Sequence, residues 1–142
     1  MAADNTNLTP IAFGGTNSMS TPKALNSTAI FDSDAVTFSA DATDCYLQVK
    51  VDNQGTPGSG DVVDVYLRVS LDGGTTYDTD EHMSWVMRLD TYPTNTPGED
   101  PATQSRLVDV RGIPGAKFAF KAAQGSTRTI NVSAQINELT VA

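Results

Sequence analysis

Apolar and polar side chains alternate with a period of two over most of the chain beyond Thr28. Cys45, Leu47, Val49 and Val51 share one face of a predicted strand, and Tyr46, Gln48, Lys50 and Asp52 share the other. Val63, Val65, Leu67, Val69 and Leu71 repeat the scheme inward, with Asp64, Tyr66, Arg68 and Ser70 outward. Met83, Trp85, Met87 and Leu89 form a third inward row, which assigns Trp85 to the core. Further strands are predicted at RLVDVR, at AKFAFKAA with Phe118 and Phe120 inward, and at RTINVSAQI with Ile130, Val132, Ala134 and Ile136 inward. After Ile136 the apolar phase moves to Leu139 and Val141, which predicts a bulge or a crossing between sheets near Asn137 and Glu138. The segments STAIF and AVTFSA bring the total to about eight strands.

Turn chemistry separates these runs. NQGTPGSG, at 53–60, reads as a mobile hairpin loop, so the strands beside it are expected to pair and to project Tyr46 and Tyr66 from outward faces. YPTNTPGEDPATQ, at 92–104, reads as a long exposed loop. No helical run of useful length is present. A sheet with one wet face must hide the other, so two sheets stack. The prediction is an all-β, two-sheet antiparallel β-sandwich, jelly-roll-like, with an immunoglobulin-like arrangement as the alternative.

Residues 1–27 differ from this single domain at 28–142. Eleven of the first 27 are Ser, Thr or Asn, and the denser apolar stretch is LTPIAF. Such a segment buries too little to fold alone. It is read as a flexible or extended arm that lies on a neighbouring subunit through Leu8, Ile11 and Phe13, against the plainer alternative of a frayed terminus.

Composition narrows the function classes. Nine basic residues against seventeen acidic ones give a net charge of −8, and a surface of that sign repels phosphate backbones. No nucleic-acid partner is expected, and no apolar run spans a bilayer, so no membrane partner either. Cys45 is the single cysteine, which rules out an intramolecular disulfide. MAADNTNLTP has neither a basic nor an apolar stretch of the kind a secretory leader carries, so synthesis in a host cytoplasm is expected. The sequons at Asn7, Asn26 and Asn131 are then chance in an Asn/Thr-rich chain.

Few stretches suggest chemistry. In VSLDGGTTYDT the spacing of Ser70, Asp72, Gly74 and Tyr77 resembles the Asp-box repeat of sialidases over eight residues, with Tyr where Trp or Phe is commoner. The chain is too short for a propeller of several blades and carries one copy. The stretch is therefore read as a structural turn, in which Asp72 accepts backbone hydrogen bonds, Gly73 and Gly74 supply positive φ angles, and Tyr77 lies across the hairpin. Asp78, Asp80 and Glu81 form a calcium candidate by composition, without EF-hand spacing. His82 falls on a polar face with no strained nucleophile to serve. One His and one Cys cannot fill a tetrahedral metal shell. No catalytic set, no cofactor and no enzyme activity are predicted. Tyr46 and Tyr66 are candidates for stacking on a sugar or for packing under a neighbouring subunit.

The acidity, the absent catalytic set, the Ser/Thr/Asn-rich arm and the texture of YLRVSLDGGTTYDT and VRGIPGAKFAFKAAQGSTRTINVSAQIN resemble capsid decoration (cement) proteins of tailed phages, over residues 28–142. The resemblance implies a virion protein on the outer capsid surface, bound to the major capsid protein as a homo-oligomer, a trimer first. A protein that binds only the mature shell stabilises it by mass action. A carbohydrate-binding or receptor-binding sandwich and a tail or neck component are the alternatives.

Overall fold

A computed structural model describes residues 6–11, 18–25, 29–93, 101–123 and 129–141. Among these residues the chain forms ten strands: β1 (Thr6–Ile11), β2 (Lys23–Leu25), β3 (Ile30–Asp32), β4 (Val36–Thr37), β5 (Ala42–Asn53), β6 (Val62–Ser70), β7 (Ser84–Asp90), β8 (Ala102–Asp109), β9 (Gly115–Ala123) and β10 (Ile130–Val141). One sheet runs β1-β10-β5-β8 with β2 also on β10, and the other runs β3-β9-β6-β7 with β4 also on β9. Every pairing is antiparallel.

This order is that of a jelly roll. Eight sheet positions are filled by ten strands because the first position of each sheet is split. The splits are patched by single residues. The Met19 carbonyl accepts from Ala134 N between β2 and β1, and the Met19 side chain is fully buried. Ser33 donates its backbone N–H to the Phe118 carbonyl and accepts Phe118 N at its hydroxyl, between β3 and β4. Thus the described parts of the expected arm lie on the chain's own sheet.

Two expectations about connections differ from the structure. The strands flanking NQGTPGSG do not pair, because β5 and β6 lie in different sheets and the loop crosses between them. Periodicity tells which face is dry but not which strand lies alongside, so a Gly/Pro loop reads as a hairpin either way. The expected exposed stretch at 92–104 also ends earlier, since β8 begins at Ala102 and pairs with β5.

The dry layer is built as the alternation requires. Cys45, Leu47, Val49 and Val51 with Ile130, Val132 and Ile136 face Val63, Val65, Leu67, Met87, Phe118 and Phe120. The inward phase of β10 continues past Ile136 to Glu138 rather than breaking there. Glu138 is buried and accepts from Ser39 N (3.0 Å) and Ser39 Oγ (2.5 Å). The irregularity lies further on, between Leu139 and Thr140.

A buried polar knot ties the two sheets where the loop crosses. Asn53 Nδ2 donates to Asp61 Oδ2 (3.3 Å) and to Thr91 Oγ1 (3.2 Å). Gly58 N donates to the same Asp61 oxygen (2.7 Å), and Thr91 Oγ1 donates to the Asp61 carbonyl (2.8 Å). Asn53 ends β5, Asp61 precedes β6 and Thr91 follows β7, so one cluster fixes three chain segments. Removing one partner leaves buried donors unmet, which costs about 1–3 kcal/mol. Asp61→Ala is expected to lower the unfolding free energy by about that amount in urea titrations. A midpoint equal to the parent protein's would show that the knot is not structural.

Candidate functional site

The outward face of the β3-β9-β6-β7 sheet carries an aromatic platform. Trp85, expected in the core, is 57% exposed. The cause is a register irregularity between β6 and β7: Val65 lies opposite Met87 but Tyr66 lies opposite Trp85. Val86 and Met87 are consequently both buried, and the residue before them is turned outward. Alternation in the sequence carries no signal for that extra residue.

Trp85 is held in place. Its Nε1 donates to Asp64 Oδ1 at 3.3 Å. Arg88 grips the same carboxylate with two bonds, Nε to Oδ1 at 2.8 Å and Nη2 to Oδ2 at 2.9 Å. The Arg88 bonds hold the Asp64 carboxyl below the usual carboxylate range; burial opposes this, and the Trp85 N–H adds to it. Tyr66, half-buried, pairs with Trp85 across the strands, and Lys121 pairs with Asp64 on the other side. The platform is an apolar plate framed by fixed charges.

Beside it, Arg68 is buried and bonded through each of its three nitrogens. Its Nε donates to Asp32 Oδ1 (2.9 Å), Nη1 to the Asp78 carbonyl (2.9 Å) and Nη2 to Asp80 Oδ1 (2.5 Å). Asp78 Oδ2 accepts from Val69 N at 3.0 Å. Of the calcium candidate Asp78, Asp80 and Glu81, the first two are thereby turned to other partners. Among the described residues no three acidic, His or Cys side chains converge on a metal position. His82 is exposed in the turn that precedes β7. Burial, then Asp44 and Glu138, pushes the Cys45 thiol up to about 12, so it stays protonated.

The Asp-box stretch is a turn joining β6 to β7. Asp72 Oδ1 accepts from Ser70 Oγ (2.9 Å), Thr75 N (3.1 Å) and Thr76 N (2.8 Å), and Gly74 N donates to Ser70 Oγ (2.9 Å). Gly73 and Gly74 have φ of 75° and 96°. The Tyr77 hydroxyl would lie 3.3 Å from a Cβ at position 74, and Lys117 Nζ stands 4.6 Å from the Tyr77 ring centre.

Leu71, expected inward, is instead 74% exposed, because β6 ends at Ser70 and the turn carries the next residue out. It borders a hollow of about 560 Å³ at one end of the sandwich, lined also by Phe38, Ser39, Ala40, Gly112, Ile113 and Pro114. Of the expected interface residues, Leu8 and Tyr46 share the outward face of the β1-β10-β5-β8 sheet, whereas Ile11 packs against the core. Tyr66 belongs to the opposite sheet and Phe13 lies outside the described residues. Leu8, Tyr46, Gln48, Ser105, Gln135 and Asn137 line a cleft of about 470 Å³ on that face.

No protein-family model and no curated protein sequence matches the chain. The chain does share its fold with solved structures. Modules of Clostridium thermocellum endo-1,4-beta-D-xylanase 10B, complexed with xylohexaose, superpose with a TM-score of 0.52 at 11% identity, over 94% of this chain and 24% of that one. The VP2 subviral particle of infectious bursal disease virus gives 0.51 at 9% identity, over 99% of this chain and 34% of that one. A carbohydrate-binding module from Cellvibrio mixtus lichenase 5A gives 0.45 at 13% identity, over 92% of this chain and 86% of that one. At such identities the likeness is one of fold: this chain is a jelly-roll β-sandwich, a fold it shares with a region of the xylanase 10B modules and with part of VP2.

The Asp72 bonds carry a pH signature. They lower its pKa from 3.8 to about 2, led by the Thr76 backbone bond. A depressed carboxylate contributes order that is present above its unfolded pKa and lost as pH falls through the folded value. The Thr75 and Thr76 amides are therefore expected to keep their NMR shifts well below pH 3.8 and to move only as pH approaches about 2. A midpoint near 3.8 would remove Asp72 from this role.

Proposed function

We propose that this sandwich is a non-catalytic glycan-binding domain whose reading surface is the platform of Trp85 and Tyr66. The observation that carries the reading is a tryptophan exposed by a bulge and then immobilised by its own N–H. A free apolar ring in water is unfavourable, and one tethered to a strand side chain is preorganised for a partner. Pyranose rings present C–H faces that stack on such a plate, while their hydroxyls meet the surrounding ionic groups. Arg88 and Lys121 supply donors at the plate's edge. Asp64, Asp32 and Asp80 are committed to arginines, Cys45 is buried and His82 stands apart in a turn, which supports binding without bond-making. The fold shared with a xylanase region solved with xylohexaose is consistent with this reading.

Because the chain has one tryptophan, its fluorescence reports on the platform directly. Titration with a panel of soluble oligosaccharides is expected to shift Trp85 emission for at least one. Trp85→Ala is expected to weaken that binding at least about tenfold while the melting temperature holds, since the ring is largely in solvent. Emission unmoved by every glycan on the panel would overturn the proposal.

A second reading is a virion decoration protein, docked on a shell of the major capsid protein. The exposed Leu71 and the apolar hollow beside it favour this reading, because a rigid end with one protruding leucine suits end-on seating in a lattice. Leu71→Asp is expected to abolish co-sedimentation with capsids without lowering stability. Unchanged occupancy on the particles would end this reading.

A further inference from the structure

We infer that the outward face of the β1-β10-β5-β8 sheet holds a second, separate binding groove for a neutral oligosaccharide. Its floor is made by register. Asn137, Tyr46 and Leu107 form one cross-strand row, and Gln135, Gln48 and Ser105 form the next. Tyr46 is 43% exposed and Leu8 borders the cleft on the β1 side. A smaller hollow of about 90 Å³ continues the cleft along the sheet, sharing Gln48 and Gln135 and adding Ser20, Thr103, Ser133 and Lys50. The result is a groove rather than a single pit.

The side chains select the ligand class. The main cleft is lined by three carboxamides, a hydroxyl, a tyrosine and a leucine, with no ionised group among them. This is notable in a chain with nine basic and seventeen acidic residues. A carboxamide donates and accepts at once, as a sugar hydroxyl does, so adjacent carboxamides match adjacent hydroxyls. Gln48 Nε2 already donates to Ser105 Oγ at 3.2 Å, which orients both groups before a ligand arrives. Tyr46 supplies the flat apolar contact. An apolar protein anchor seated here would strand the polar groups beneath it, an arrangement that costs rather than gains affinity. The cleft's volume lies within the roughly 300–1,000 Å³ usual for small-ligand sites.

This groove and the Trp85 platform lie on opposite sides of the core, so the chain has two faces able to hold separate glycan strands. Two sites of modest affinity on one rigid body give avidity on a polymer surface.

The test uses the Trp85→Ala protein, which removes the platform. Calorimetric titration with xylohexaose, cellohexaose and mannohexaose is expected to retain one binding event for at least one of them. Adding Tyr46→Ala, or separately Gln135→Leu, is expected to weaken it at least about tenfold. Both residues face outward, so circular dichroism should stay unchanged, and Ser105→Ala is the milder check. The proposal is overturned if Trp85→Ala binds none of the three hexaoses, or if binding survives both added changes. It is equally overturned if sedimentation shows a dimer that Tyr46→Ala dissolves. Failure of the platform reading has a different signature, namely no fluorescence change in the parent protein while the Trp85→Ala titration still shows this site.

Discussion

The structure depends on a dry layer shared by two antiparallel sheets. Each sheet contributes every second residue of its long strands, and the layer closes because Val, Leu and Ile rows on β5 and β10 meet Phe118 and Phe120 on β9. Burial of this kind is non-directional, so it makes a sandwich without specifying which strands are neighbours. Directional groups complete the arrangement. The Asn53–Asp61–Thr91 knot anchors the crossing between sheets, Ser33 and Met19 mend the split first strands, and Ser39 satisfies the inward Glu138.

The candidate surfaces arise where alternation is interrupted or turned outward. A single extra residue between Val65 and Tyr66's partners rotates Trp85 from the core to the solvent. The Asp72 turn lifts Leu71 off the end of β6. On the other sheet the register runs unbroken through the rows of Tyr46 and Gln48, and the outward positions of four strands assemble a carboxamide-lined cleft around Tyr46. Charge organises these faces differently. On the Trp85 face, cations and carboxylates pair and frame the ring; in the cleft they are replaced by neutral hydrogen-bonding groups.

The electrostatics also separate structural from reactive chemistry. Arg68 is surrounded by Asp32, Asp80 and a carbonyl, so its charge holds the loop after β6 to the sheet and leaves little for a ligand. Two of the three carboxylates that composition marks as a calcium site, Asp78 and Asp80, serve this same purpose. Breaking a partly buried pair of that kind leaves an uncompensated charge, which explains why the acidic loop follows its arginine rather than spreading into solvent.

The period-two pattern by itself determined the all-β class, the stacking of two sheets and the main core rows of β5, β6, β9 and β10, because alternation is a local property that every strand carries in its own residues. The jelly-roll preference came from the number of strands. The Asp-box turn was equally legible, since its hydrogen bonds close within seven residues, Ser70 to Thr76. Tertiary structure alone decided that β5 and β6 part company, that Met19 belongs to the core, and that Glu138 keeps the inward phase. It also decided the exposure of Trp85. Each of these turns on what lies across a strand pair or across the dry layer, and pairing partners distant in sequence leave no mark on the spacing of residues along the chain.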